Sequence, residues 1–298
     1  MSPASEHRAG FVALGGRTNT GKSTLLNRIV GRKVAIVTPR AQTTRGRIVG
    51  IRTDPDAQII LIDAPGLHEA RSELNRRMVQ TARRVLSEGE LILALAEAGD
   101  RLRADDRAAI AEILAAGRPA IIVINKIDKV PRPKLLPLIE EVSREFPGID
   151  IVPVSALSGE NVDRLVAAIK EKLPVGPPLM PEDEYTDQAE RAIAAEIIRE
   201  KIFLRMREEI PFSTAVRVES FEDDAQRNLK SIRASVIVDR ESHKGMLIGA
   251  GGRMLKEIGT TARLELQKIF GTRVYLEITV RAERGWTRDS RKLEEFGL

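Results

Sequence analysis

Gly16-Arg17-Thr18-Asn19-Thr20-Gly21-Lys22-Ser23 spells G-x-x-x-x-G-K-S without interruption. The short apolar run Phe11–Leu14 precedes it, and a helix-forming stretch from about Lys22 to Val30 follows. That order is what the motif needs, because its glycines let consecutive backbone N–H groups curl round phosphate oxygens at a helix N-terminus. Lys22 can reach the outer phosphates, the Ser23 hydroxyl can ligate magnesium, and Thr24 completes the binding set. A chance match in a Gly-rich turn would lack these flanks. The stretch implies a nucleoside triphosphate and leaves the base open.

Further apolar runs at Ala57–Ile62, Leu91–Ala96, Ala120–Ile124 and Ile151–Val154 read as strands. Helical stretches such as Asp105–Ala116 and Arg132–Phe146 lie between the later ones. Short continuous apolar strands separated by helices predict an α/β P-loop domain, a mostly parallel sheet with helices on both faces. Ligands in such sheets bind outside the carboxyl ends of the strands, and each of these ends carries a signal. Asp63-Ala64-Pro65-Gly66, followed by Leu67, ends one strand. Asp63 is placed to hold magnesium through water, and Gly66 to offer its N–H to a γ-phosphate. Asn125-Lys126-Ile127-Asp128 ends another. The Asp128 carboxylate can accept both N1–H and N2–H₂ of guanine, whereas adenine would leave it unpaired. Lys126 would pack over the base, and Asn125 would tie this loop to the phosphate loop. Ser155-Ala156 could present a backbone N–H to guanine O6. Each short pattern is weak alone; their shared order decides guanine over adenine.

Length and composition agree. At about 150 residues per domain, 298 residues suggest two domains. Apolar residues at 42% and charged residues at 31% fit a soluble globular chain, and 3% aromatics leave the cores to aliphatic side chains. Cysteine is absent, which excludes disulfides, Cys-ligated zinc, iron–sulfur clusters and thiol chemistry and fits a reducing compartment. His7, His68 and His243 lie too far apart to suggest a metal site. With no run of about 18 apolar residues and no signal-peptide core, a cytosolic location is expected.

After a helix Val162–Leu173 comes Pro174-Val175-Gly176-Pro177-Pro178-Leu179-Met180-Pro181, a stiff non-helical stretch that marks a boundary. We expect a nucleotide-binding domain over residues 1–176, a linker over 177–185 and a second domain over 186–298. That domain reads as a helix from about Asp187 to Glu209, strands near Thr214–Phe221 and Ser231–Asp239, and a short helix near His243–Ile248. A glycine loop, a helix from about Met254 to Phe270 and a strand Arg273–Val280 follow. The net charge is +5, and Arg227–Arg281 carries 11 basic against 5 acidic residues. This points to a polyanionic partner.

The nucleotide motifs resemble those of the translation-factor-class GTPases. Pro39-Arg40-Ala41-Gln42-Thr43-Thr44-Arg45 resembles the Q-T-T-R first switch of the Era GTPases, and Gly285-Trp286-Thr287-Arg288-Asp289 is similar to their closing W-R-x-D. The resemblance covers essentially the whole chain. It implies a GTPase domain followed by an α+β type II KH domain. A switch threonine closes on magnesium in that family; Thr44 is the assignment and Thr43 the alternative. The catalytic set becomes Lys22, Thr44 and Gly66; magnesium falls to Ser23, Thr44 and Asp63, and potassium to Asn19. Leu67 and His68 follow Gly66 where a glutamine could have oriented water, so hydrolysis of GTP to GDP should be slow. His68 is either a general base or a solvated loop histidine.

Two positions depart from the family's G-R-P-N-V-G-K-S, with Thr18 and Thr20 standing for proline and valine. Gly249-Ala250-Gly251-Gly252, preceded by Leu247-Ile248, is similar to the GXXG loop that clamps about four nucleotides of RNA backbone. Ala250 stands where these loops usually carry lysine, and Lys244, Arg253 and Lys256 are the substitutes; Ile248 joins them in the RNA-contacting set. The resemblance further implies the 3′ end of 16S rRNA and the 30S subunit as partners, a cytoplasmic monomer, and at most peripheral membrane association. Two other readings are an RNA-binding assembly factor that merely senses nucleotide, and a P-loop ATPase or kinase with an unrelated C-terminal domain, against which Asn125 and Asp128 argue.

Overall fold

β1 (Arg8–Gly16) runs through the phosphate loop into α1 (Lys22–Val30). β2 (Ile48–Asp54) and β3 (Ala57–Asp63) form a hairpin, and α2 (Glu73–Glu88) follows. Then β4 (Leu91–Glu97), α3 (Ala104–Leu114), β5 (Ala120–Asn125), α4 (Arg132–Glu145), β6 (Asp150–Val154) and α5 (Val162–Lys172) alternate. This computed structural model describes residues 6–67, 72–207 and 209–296. The sheet order is β2-β3-β1-β4-β5-β6, parallel throughout except at β2. Alternate residues serve two cores, which is why the strands read as unbroken apolar runs. Val12, Leu14, Leu61 and Leu93 meet α1 and α5 on one face. Ala13, Ile62, Ile92 and Ala94 meet α2, α3 and α4 on the other. The parallel register brings Gly16, Asp63, Asn125 and Val154 to one end of the sheet.

β2 is a strand that the apolar-run reading passed over. A Cβ on its Gly50 would lie 2.8 Å from a Val30 methyl and 2.9 Å from a Leu26 methyl of α1, so these side chains would have to shift. The Pro-rich stretch after α5 contains no helix and is fastened down. Buried Gln58 accepts N–H bonds from Leu179 (2.7 Å) and Met180 (2.8 Å), and Ile51 N–H donates to the Tyr185 carbonyl at 2.9 Å.

The chain divides into two compact units, one holding residues 1–35, 44–69 and 78–187, the other 36–43, 70–77 and 188–298. The second contains α6 (Glu190–Arg205), β7 (Thr214–Asp224), β8 (Leu229–Val238), α7 (Glu241–Ile248), α8 (Arg253–Phe270), β9 (Arg273–Ala282) and α9 (Ser290–Glu295). β8 lies between antiparallel β7 and parallel β9. Ile197, Ile202, Val236, Leu247, Ile258 and Leu266 form its core, which Ile36 joins. Within this unit Val37 N–H donates to Glu200 (2.9 Å) and Arg199 to the Thr43 carbonyl (2.6 Å). α6 is shorter at both ends than the expected Asp187–Glu209, its C-terminus closed by Met206 in extended conformation. Fully buried Trp286 donates its indole N–H to the Ser213 carbonyl at 3.0 Å, which anchors the tail. Among the described residues no helix is long and apolar enough to cross a membrane.

Candidate nucleotide site and candidate RNA loop

The β1–α1 connection folds back on itself. Lys22 is buried, and its ammonium donates to the carbonyls of Arg17 (2.8 Å) and Gly16 (3.2 Å). Burial brings its pKa down to about 8, with Asp63 opposing and Arg17 adding to the shift. Thr20, also buried, donates its hydroxyl to the Arg17 carbonyl at 3.0 Å. Thr18 and Gly66 are in backbone contact. A Cβ on Gly66 would stand 2.5 Å from the Thr18 nitrogen and 2.8 Å from the Arg17 carbonyl carbon, so only glycine fits. Leu67 N–H donates to the Gly16 carbonyl at 3.1 Å, while Ala64 and Pro65 are buried between. His68 lies outside the described residues.

Three oxygen-bearing side chains converge at the start of α1. Ser23 donates its hydroxyl to Asp63 Oδ2 at 2.5 Å; Thr44 Oγ1 lies 2.9 Å from Ser23 Oγ and 3.3 Å from the same carboxylate oxygen. Asp63 Oδ1 is buried without a hydrogen-bond partner, and burial raises the pKa of this carboxyl. A buried carboxylate oxygen left unpaired beside two hydroxyls is a hard-oxygen donor set that fits Mg²⁺. Thr43 turns elsewhere, to Thr38 Oγ1 (2.6 Å) and the Arg40 carbonyl (2.8 Å). Among the described residues, no three His, Cys, Asp or Glu side chains gather around a metal-sized space.

Asn125 joins three loops. Its amide donates to the Thr20 carbonyl at 2.8 Å, and its oxygen accepts the Ala156 N–H at 3.0 Å. Lys126 takes a left-handed backbone (φ 66°) and sets its ammonium 3.1 Å from Glu97. Asp128 is exposed, with one carboxylate oxygen fixed by the Ser155 hydroxyl at 2.6 Å. The expected backbone donation from Ser155-Ala156 to a base is not what this loop shows. Ser155 N–H goes to the Glu160 carbonyl and Ala156 N–H to Asn125, so the pair builds the loop instead. Sequence reading missed Glu97 and Asp106, which holds the side chain of Arg17. Neither lies in a motif; the nearest signal is an acidic residue at a strand end and another in a helix first turn. Asn19 is exposed at φ 64°, and Thr24 is half-buried in α1.

In the second unit, Gly251 (φ 59°) and Gly252 (φ 77°) take left-handed backbone between α7 and α8, and Gly249 (φ 72°, ψ 173°) a positive-φ extended one. A Cβ on Gly249 would press Met254 at 2.8 Å, whereas the space beside Gly251 and Gly252 is open. The backbone is therefore bare where a phosphate would approach. Arg253 folds back to the Ala250 carbonyl (3.2 Å), Lys244 faces Glu241 at 3.8 Å, Lys256 is exposed and Ile248 half-buried.

Comparison with known proteins fits this geometry. Residues 11–126 match the family described as 50S ribosome-binding GTPase, and residues 209–287 the KH domain. The GTPase Era of Syntrophus aciditrophicus is 46% identical over 290 residues, 97% of this chain and 95% of its own. That of Geotalea uraniireducens is 48% identical over 98% of both chains. A crystal structure of Era with MgGDPNP and nucleotides 1506–1542 of 16S ribosomal RNA superposes with a TM-score of 0.94 at 43% identity, covering 98% of this chain and 99% of that one. A variant of Aquifex aeolicus Era bound to GDP·AlF₄⁻ gives 0.93 at 43% identity, covering 97% and 99%.

Proposed function

Because the chain belongs to the Era family of GTPases, we propose that it is a GTP-hydrolysing switch whose KH domain grips the 3′ end of 16S rRNA during assembly of the 30S subunit. The observation that carries the reading is the buried Asp63 carboxylate, one oxygen held by Ser23 and Thr44 and the other unpartnered, beside a complete phosphate loop. The Era structures with MgGDPNP plus 16S nucleotides and with GDP·AlF₄⁻ support the nucleotide, the magnesium and the RNA. In this reading residues 1–176 are the GTPase domain, 177–185 the linker and 186–298 the KH domain.

Water attacks the γ-phosphorus, the bond from that phosphorus to the β–γ bridging oxygen breaks, and GDP and phosphate leave. Lys22 exchanges its two loop carbonyls for outer phosphate oxygens and stabilises the charge that develops there. The Gly66 N–H joins it. Ser23, Thr44 and Asp63 would hold Mg²⁺, which supplies further charge neutralisation on the phosphates. Asp128, fixed by Ser155, accepts from the guanine edge, and Asn125 keeps base loop and phosphate loop in register. With no glutamine after Gly66 the intrinsic rate is slow. Asn19 would hold a potassium ion, whose charge would add to that of Lys22 at the phosphates.

RNA phosphates approach Gly251 and Gly252, with Lys244, Arg253 and Lys256 alongside. GTP orders the switch segments, the KH domain takes hold of RNA, and hydrolysis releases it. We place this activity in the cytoplasm, in a monomer, with any membrane association peripheral. The test is GTP hydrolysis in K⁺ against Na⁺ buffer, with and without an RNA oligonucleotide ending in the 16S 3′ sequence. The reading expects both K⁺ and RNA to raise turnover. Tight RNA binding without stimulation would favour the passive nucleotide sensor instead.

A further inference from the structure

We infer that Asp106 is a positioning residue of the nucleotide site, acting through the Arg17 side chain to hold the phosphate loop in register; the inference rests on the GTPase reading above. Asp106 belongs to no nucleotide motif. On α3 the buried residues are Asp106, Ala109, Ile110 and Ile113, one stripe at helical spacing. Three of these positions are apolar and pack on the sheet, so a carboxylate occupies a place where helix packing alone calls for a hydrophobe. It is 0% exposed. An ion so placed costs stability unless it is paired at good geometry.

The pairing is two-pronged. Arg17 Nε lies 2.8 Å from Asp106 Oδ1, and Nη2 lies 3.4 Å from Oδ2. The guanidinium is 23% exposed, and Asp105, 78% exposed, stands 3.7 Å away as an outer neighbour. The first turn of α3 suits an anion, because the helix N-terminus carries partial positive charge. Geometry and charge together make this the preferred seat for Arg17.

What the pair holds explains why it is there. The Arg17 carbonyl accepts from the Lys22 ammonium (2.8 Å) and the Thr20 hydroxyl (3.0 Å). Arg17 also bridges to Leu67 as an isolated backbone pair, and Gly66 packs directly on the Arg17–Thr18 peptide. One residue thus sets the catalytic lysine, the buried hydroxyl of the loop and the turn that offers the Gly66 N–H. The loop between holds no proline and puts Gly16, Asn19 and Gly21 at positive φ, a shape that local backbone preference does not enforce. A side-chain anchor outside the loop supplies what the backbone lacks. It also keeps a free guanidinium from collapsing onto the polyphosphate.

Asp106→Asn, Arg17→Gln and the double variant test this by steady-state GTP hydrolysis and by binding of a fluorescent GDP, with thermal unfolding as the fold control. Misplacing Lys22 and Gly66 weakens contacts made most strongly in the transition state. Each single variant should therefore lose about 10–100-fold in kcat while KM and GDP affinity move less than about 3-fold. The double variant should lose no more than the worse single one, because both cut the same link. Asp105→Asn should stay within about 2-fold of the parent, as an exposed neighbour contributes little. Should Asp106→Asn fail to fold, Arg17→Gln reads the same link from its partly exposed end. A folded variant with parental kcat, or losses that multiply in the double variant, would overturn the inference. A parent that hydrolyses ATP as readily as GTP would instead overturn the functional reading.

Discussion

Replacing Asn125 by alanine should uncouple the base loop from the phosphate loop, and the structure gives the size of the effect. The side chain is 1% exposed and makes two bonds, to the Thr20 carbonyl and from the Ala156 N–H. Truncation leaves both backbone groups buried and unpaired, at about 1–3 kcal/mol each, or roughly 2–6 kcal/mol together. For a unit of this size one kcal/mol corresponds to about 2–4 °C, so the nucleotide-free variant should melt roughly 5–20 °C below the parent. If about 1.4–2.8 kcal/mol of that loss falls on the bound state, the Kd for GDP rises about 10–100-fold. Differential scanning fluorimetry and titration with a fluorescent GDP read the two quantities. A variant that melts with the parent and binds GDP with parental affinity would refute the idea that this amide ties the loops together.

Gly66→Ala should cut kcat about 10-fold or more while GDP affinity changes little, because its methyl would meet backbone atoms of Thr18 that cannot retreat; phosphate release against GDP binding separates the two. Gly251→Asp keeps a backbone that aspartate tolerates, at a position with open space. The added carboxylate should weaken RNA-oligonucleotide binding about 10-fold or more, while the left-handed backbone (φ 59°) lowers the melting temperature by only a few degrees. Acid stability carries a sign that can be checked at Asp54. Burial would raise its pKa, but hydrogen bonds from Lys170 and Arg52 outweigh this and hold it below the usual range. The stability it lends is full above about pH 4, the unfolded value, and is lost as pH falls through the folded value. Asp54→Asn should therefore flatten that part of the acid-unfolding curve.

Much of the nucleotide site can be read along the chain because its parts sit at strand ends in a fixed order. The loops at Gly16–Ser23, Asp63–Gly66 and Asn125–Asp128 are each local, and the parallel register alone brings them together. β2 escaped notice because Gly50 breaks its apolar run, and its strand character comes from pairing with β3. α2 is masked by charge: Leu74, Met78, Ala82 and Val85 form a buried stripe at helical spacing inside an arginine-rich segment. The Pro-rich stretch reads as a spacer, since nothing local reveals that Gln58, more than 100 residues earlier, accepts from its backbone. Asp106 is the clearest case. In sequence it is an acidic residue in a helix first turn, a common surface choice, and only the fold turns it inward to Arg17.

Guanine selection by Asp128 at a working phosphate loop is the central claim, and nucleotide competition tests it most directly. GTP, inosine triphosphate and ATP would each be titrated against a bound fluorescent GDP in the presence of Mg²⁺. Inosine keeps N1–H but lacks the 2-amino group, so it gives up one of the two bonds to Asp128 and should compete about 10–100-fold less well than GTP, with ATP weaker still. Equal competition by ATP and GTP would contradict the account at its root.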